Sequence, residues 1–407
     1  IIKYYSFYIP TLLVLGFSNL IFLSNILDHL QKKKINYLFY LSVLFLVFFN
    51  IFFYRIQEHG TDRSAQILIS LLFIQLFYLI EFEKDFKIRI DFIIILLGLI
   101  ISLKAFYILY LIIIFPIIFI FYKEKKLDLI FYIIKRKLFF SFIFLMSLII
   151  SVYFLNTGCL LYPVSFTCFD NFAWSIGTEE TIKMSDHYKL WSKAGKAPNF
   201  VVDNPNLYLK DFNWIPNWID MYFFNKVSDF LIGLVILCFT FFAIFRQKSN
   251  SSKRARRNKR NSSYLYIIFI FLFILLLEWF FNHPSLRYGG YILISLAIFI
   301  PFSIYLERQG NLYDKIKPKL KFIILLTIII FISRNGLRIN DEIKKYDYKP
   351  IKETFYFIDQ NHFRVTNLFE EIIKNYNNCQ EEKKVCNYDL SKKIIQVFTN
   401  RYIFLND

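Results

Sequence analysis

The sequence contains no Walker loop, no dinucleotide-binding glycine fingerprint, no HExxH and no GxSxG. No segment on the basic side of its apolar runs is long enough to fold as a nucleotide-binding domain, which excludes chemistry driven by a cytosolic nucleotide donor. Histidine is scarce, at 5 in 407 residues, and so is cysteine, also at 5. Neither close cysteine pair, Cys159/Cys168 or Cys379/Cys386, has the CxxC spacing of a zinc site. The internal repeat expected of a secondary transporter is missing. So is a cleavable signal peptide. The chain opens on Ile1 inside an apolar run with no initiating Met, so its natural N-terminus is expected to lie further upstream.

What remains is strongly apolar. Hydrophobic residues make up 56% and aromatics 21%, and the mean hydropathy is +0.43. The apolar runs approach the length of a bilayer crossing and are apolar on every face, whereas helices of a soluble core would alternate. The fold class expected is an all-α polytopic membrane protein. A formal net charge of +18 would suggest nucleic acid in a soluble chain; here it fits positive loops on the cytoplasmic side.

In order, spans are expected at about Phe7–Leu27, Ile35–Tyr54 and Ala65–Ile80. The next run, Phe92–Tyr122, is too long for one crossing at about 1.5 Å per residue, and Lys104 sits near its middle. One tilted helix would bury that ammonium at the bilayer centre; two short helices with Lys104 at the turn bring it to the interface. Charge decides between them. Only the two-helix reading sets Lys32–Lys34, Lys123–Lys137 and Arg246–Arg260 on one face. Further spans at about Leu138–Leu155, Phe230–Phe245, Tyr264–Phe281, Tyr291–Leu306 and Leu320–Ser333 bring the count to ten.

The organisation expected is therefore N-terminal transmembrane helices over 1–155, a large extracytoplasmic loop over 156–229, C-terminal transmembrane helices over 230–333 and an extracytoplasmic tail over 334–407. Both close cysteine pairs fall outside, where disulfides persist, so Cys159–Cys168 and Cys379–Cys386 are expected to be bridged, with unpaired thiols as the alternative. Cys238 lies in a span as a small apolar residue. The loop holds Trp174, Trp191, Trp214 and Trp218, which read as an interfacial belt or as sugar-stacking rings.

Candidate chemistry gathers at the outer ends of spans. Glu58-His59-Gly60-Thr61-Asp62-Arg63 sets two carboxylates four apart, able to bind a divalent cation, magnesium or manganese, or to act as a general base. Arg55 and Arg63 beside them suit a phosphate. The plainer alternative is a polar turn, with Gly60 ending one helix and Thr61 or Asp62 capping the next. Glu278, an acid near the end of a membrane helix, faces a polar cavity, or else reaches the interface and pairs with Arg287. Lys104 binds a lipid phosphate or anchors the interface, and His283 adjoins the same end.

The order of these parts resembles the GT-C class of integral-membrane glycosyltransferases, and more closely an uncharacterised bacterial group of GT-C-like membrane proteins. The matching pieces are Glu58-His59-Gly60-Thr61-Asp62-Arg63, the hairpin around Ser102-Leu103-Lys104, Asn156-Thr157-Gly158-Cys159-Leu160-Leu161-Tyr162-Pro163 with Trp174 after it, and Pro284-Ser285-Leu286-Arg287-Tyr288. They cover most of residues 36–306. The resemblance implies a first outer loop with a catalytic acid and a second outer loop with another acidic motif, which Glu58 and Asp62 resemble. The first span and loop of that class are not matched here, so the principal base is expected outside this sequence. It further implies sugar transfer from a polyprenyl-phosphate-linked donor to an envelope glycan, lipid or protein at the outer face of the bacterial cytoplasmic membrane. A transporter or flippase of lipid-linked glycans is the competing class.

Overall fold

The structure is a computed structural model; it describes residues 9–55, 61–81, 86–125, 128–197, 200–246, 259–309, 313–346, 349, 392–398 and 401–406. The helices, in order, are α1 (Ile9–Gln31), α2 (Tyr37–Phe52), α3 (Asp62–Glu81), α4 (Phe86–Leu103), α5 (Ile114–Lys123), α6 (Asp128–Ile134), α7 (Lys137–Thr157), α8 (Gly177–Ser192), α9 (Pro205–Leu209), α10 (Ile215–Trp218), α11 (Ser228–Phe245), α12 (Lys259–Asn282), α13 (Gly290–Arg308) and α14 (Tyr313–Tyr346). Two antiparallel two-stranded hairpins, β1 (Lys196–Ala197) with β2 (Phe200–Val201) and β3 (Lys392–Phe398) with β4 (Arg401–Asn406), are the β-structure among the described residues.

Eight helical stretches among the described residues are long and apolar enough to cross a membrane: residues 9–31, 62–81, 106–123, 137–157, 215–245, 264–282, 290–308 and 315–346. The protein is a multi-pass helical membrane protein. Two of the ten expected spans fall short on those terms. Helix α2 has only 16 residues, and α4 carries Lys87, Arg89 and Asp91 in its first turns. Two other boundaries move. A π-helical stretch, Ile219–Val227, joins α10 to α11, so the helix expected from Phe230 reaches back to Ile215. The helix expected to stop at Ser333 runs on to Tyr346. Residues 215–229 mix apolar and polar side chains, and residues 334–346 are mostly polar yet continue α14, so counting apolar runs ends or starts both helices too near the apolar core.

The chain forms two compact units. The larger comprises Ser6–Ile149 and Lys183–Ile332. Its centre is α2 and α3, the helices with apolar residues on every face. Leu38 to Phe49 of α2 are all buried, as is nearly all of α3. Around them pack α1, α4 and α13, with α12 and α11 against α13. Polar side chains inside this apolar packing find each other: the amides of Asn19 (α1) and Asn50 (α2) exchange hydrogen bonds of 3.1 and 2.9 Å. The outer faces of α11 and α12 expose Ile232, Val235, Phe239, Ile270 and Phe273, the apolar surface a lipid-facing helix needs.

The helix does break at Lys104. Helix α4 ends at Leu103, Lys104 takes an extended conformation, and a 3₁₀ helix over Ala105–Ile113 leads into α5. The Phe86 and Phe121 rings lie 5.0 Å apart, so the chain returns along α4 as a hairpin with Lys104 at its apex.

The smaller unit comprises Ile1–Tyr5, Ile150–Ile182 and Ser333–Asp407. Cys159 and Cys168 are joined by a disulfide, with the Thr181 hydroxyl 3.6 and 3.4 Å from the two sulfurs. Gly158 sits in the left-handed region (φ +75°), and a Cβ there would meet the Cα of Ser175 at 2.9 Å. Asp170 accepts from Thr178 N at 2.6 Å and so caps the start of α8. Cys379 and Cys386 lie outside the described residues. Non-reducing peptide mapping is expected to yield the Cys159–Cys168 crosslinked peptide. Replacing both cysteines with serine should destabilise this loop by about 2–3 kcal/mol on loop-closure grounds, read as faster proteolysis within 150–182; free thiols at both positions would refute the bridge.

Candidate functional site

Three charged side chains from distant parts of the chain meet at one end of the larger unit. Asp62 opens α3, where a carboxylate is favoured by the helix dipole. Its side chain is only 8% exposed. Lys104 Nζ, from the hairpin apex, donates to Asp62 Oδ1 at 2.6 Å. Arg287 Nε, from the 3₁₀ turn Leu286–Tyr288, donates to Asp62 Oδ2. The carboxylate therefore has a cationic donor on each oxygen, and the triad keeps one net positive charge. Lys104 is about one-third exposed and Arg287 70% exposed, so the cations lie toward the open side.

The turn carrying Arg287 is held from several directions. Gln66, one turn into α3 from Asp62, donates to the Arg287 carbonyl at 3.0 Å and accepts from Ile292 N at 3.1 Å. Trp218 Nε1 donates to the Pro284 carbonyl at 3.0 Å and Trp279 Nε1 to the Ser285 carbonyl at 2.8 Å. Tyr222 OH accepts from Leu286 N at 2.9 Å. Gly289 (φ +108°) ends the turn in a conformation that a side chain would strain. The turn is thus fixed through its backbone, which leaves the Arg287 guanidinium to be aimed by Asp62.

Around the triad, Lys104 Nζ stands 4.3 Å above the Tyr288 ring. The His283 ring lies 5.9 Å from Tyr288 and 5.2 Å from Phe106. Burial, then Lys189, Lys193 and Lys104, push the His283 imidazole down to about 4, so it is neutral at pH 7.

The other expected site residues are placed as follows. Glu278 accepts from Asn282 at 3.2 Å, while Arg287, its suggested partner, bonds Asp62. The Arg63 guanidinium lies over the Phe53 ring at 5.4 Å. Arg55 is exposed. Glu58 and His59 lie outside the described residues. Trp214 and Trp218 do not form an exposed belt: they are 1% and 5% exposed and pack on Phe280. Trp174 and Trp191 do keep exposed faces. Sequence reading missed Gln66, Trp218, Tyr222 and Trp279 as the parts that hold the turn. For Gln66 the available signal was an amide one turn after Asp62 at the start of a mainly apolar run.

A divalent cation does not fit the described part of the site. Both oxygens of Asp62 are engaged by cations, and among the described residues no group of three or more His, Cys, Asp and Glu stands together.

No curated protein and no solved structure matches the chain. Residues 1–294, which include Asp62, Lys104 and Arg287, match a family described as a domain of unknown function, DUF8201, and the chain belongs to that family.

Proposed function

We propose that the protein transfers a sugar from a polyprenyl-phosphate-linked donor to a glycan, lipid or protein of the cell envelope, at the outer face of the bacterial cytoplasmic membrane. The observation that carries this reading is the pair of cations, Lys104 and Arg287, held by one buried carboxylate at the end of an apolar helical bundle. A lipid-borne anion approaches such a bundle from the side and presents its phosphate at the level of the helix ends. Guanidinium and ammonium groups fixed there meet it without reorganising.

In the transfer, the acceptor hydroxyl oxygen bonds to the anomeric carbon. The bond from that carbon to the phosphate oxygen breaks, and its electron pair stays on the phosphate. Lys104 and Arg287 stabilise the charge that grows there. Asp62 acts as a positioning residue, with Lys104 on one of its oxygens and Arg287 on the other. The hydroxyl proton passes to a base; Glu58 is the acid four residues before Asp62 in the sequence, with Arg55 and Arg63 on either side of it in the sequence. No step is routed through a metal.

Glycan and lipid-carrier analysis of a deletion strain tests the reading. Loss of one envelope sugar with accumulation of its lipid-linked donor on the outer leaflet is expected, restored by the wild-type chain but not by a Lys104→Ala/Arg287→Ala variant. Accumulation on the inner leaflet instead would establish the flippase class, and unchanged glycans in a strain without a paralogue would refute the transferase.

A further inference from the structure

We infer that the disulfide-closed loop 158–176 is a membrane-interface anchor, lying in the lipid headgroup layer at the C-terminal end of α7 with Phe169, Phe172 and Trp174 against the bilayer. The level follows from the helix that leads into the loop. Helix α7 has 21 residues; at about 1.5 Å per residue it covers roughly 31 Å, the thickness of the hydrocarbon core. It is apolar along its length and none of its residues is buried, so its surface is left to lipid. Thr157, its last residue, stands at the edge of the hydrocarbon.

The rings stay at that level because they pack on the span itself. Phe154, in the last turn of α7, has the rings of Phe169, Phe172 and Trp174 at 5.8, 5.3 and 6.2 Å, and Phe172 stacks on Trp174 at 4.6 Å. Trp174 Nε1 also reaches back, donating to the Phe154 carbonyl at 3.4 Å. All three rings keep exposed faces, as do Val152 and Leu155 at the end of α7. Phe166, in the short turn Ser165–Thr167 between the two cysteines, is 88% exposed. Aromatic rings within a turn of a span end belong where hydrocarbon meets headgroups.

Two further features fit the loop to that layer rather than to water. It carries little charge: Asp170 is the one acid or base of the Asp, Glu, Lys and Arg kind in residues 158–176, and its carboxylate accepts from Thr178 N and Oγ1 at 2.6 and 2.9 Å. Its backbone is also closed on itself. The N–H groups of Leu160, Phe169 and Ile176 donate to the Thr167, Gly158 and Thr157 carbonyls at 3.0, 2.9 and 3.1 Å. Those of Cys159 and Leu161 are taken by the Thr157 and Thr167 hydroxyls at 3.2 and 3.1 Å. Irregular backbone beside hydrocarbon has to pair its own polar groups, because lipid chains supply none. A glycan stacked on these rings would need polar groups beside them, yet Trp174 Nε1, the Asp170 carboxylate and the Thr167 hydroxyl are already engaged.

The test is tryptophan quenching of the full chain in phosphatidylcholine vesicles. The difference between the wild-type and Trp174→Phe signals isolates Trp174. Lipid brominated near the headgroup end of its acyl chains is expected to quench that component by about half or more, and aqueous iodide by less. Phe172→Trp, read against the wild type, adds a second reporter on the same patch while keeping a ring there, so that a folding defect in Trp174→Phe does not decide the outcome. Iodide quenching above bromolipid quenching at either position puts the loop in water and overturns the inference. Protection from both quenchers means that protein or glycan covers the rings, and overturns it as well.

Discussion

Asp62→Asn is expected to lower sugar transfer by tenfold or more, at least about 1.4 kcal/mol of transition-state stabilisation, in a protein that still folds. The substitution keeps the shape of a side chain that is 8% exposed and removes the charge that holds Lys104 and Arg287 in register. Freed from it, the ammonium and guanidinium no longer converge on one point, and the loss falls on the step in which the phosphate gains charge. A positioning role has a signature that simple destabilisation lacks. Asp62→Glu restores the charge and should recover part of the activity, and Asp62→Asn should raise KM for the donor as well as lower kcat while the thermal unfolding midpoint changes little. Wild-type rates in Asp62→Asn, or no recovery in Asp62→Glu at equal stability, would remove Asp62 from the site.

Gly290→Ala is expected to be the more damaging change to the fold. A Cβ at residue 290 would come within 2.7 Å of Trp279 Cε2. The indole cannot yield cheaply, because it is 4% exposed and its Nε1 donates to the Ser285 carbonyl at 2.8 Å. Overpacking of this kind costs about 1–3 kcal/mol, and losing the indole hydrogen bond adds about 1 kcal/mol. The midpoint of thermal unfolding should drop, and transfer should drop with it because Ser285 belongs to the turn that carries Arg287. Gly16→Ala is the matched control: nothing lies within 4 Å of its added Cβ, and alanine is the better helix former. A Gly290→Ala protein as stable as Gly16→Ala would show that the α12–α13 contact is looser than the packing indicates.

Some of this was legible in the residues alone. Long apolar runs with charge between them announce membrane helices, because the cost of burying an unpaired charge in hydrocarbon leaves few alternatives. The same cost located the break at Lys104, where α4 ends and the hairpin turns. Asp62 could be singled out as an acid at the start of a span. What no local pattern revealed is its company. Lys104 and Arg287 lie 42 and 225 residues away along the chain, and in sequence each is equally consistent with a cation at an interface. The same limit applies to the tryptophans. Trp214 and Trp218 have the composition of an interfacial belt, yet both indoles pack on Phe280, and Trp218 donates to the Pro284 carbonyl.

The sequence by itself determined the solvent: 56% hydrophobic residues in runs of bilayer length fold as helices that satisfy their own backbone groups, since the surroundings offer none. It also determined where charge must surface. The tertiary structure alone decided which charges share a carboxylate and which glutamine pins the turn. Hydrophobic burial acts on every apolar residue alike and needs no partner, so it is written locally. A hydrogen bond or ion pair depends on a few tenths of an ångström between groups that only the packed helices of α3, α4 and α13 bring together.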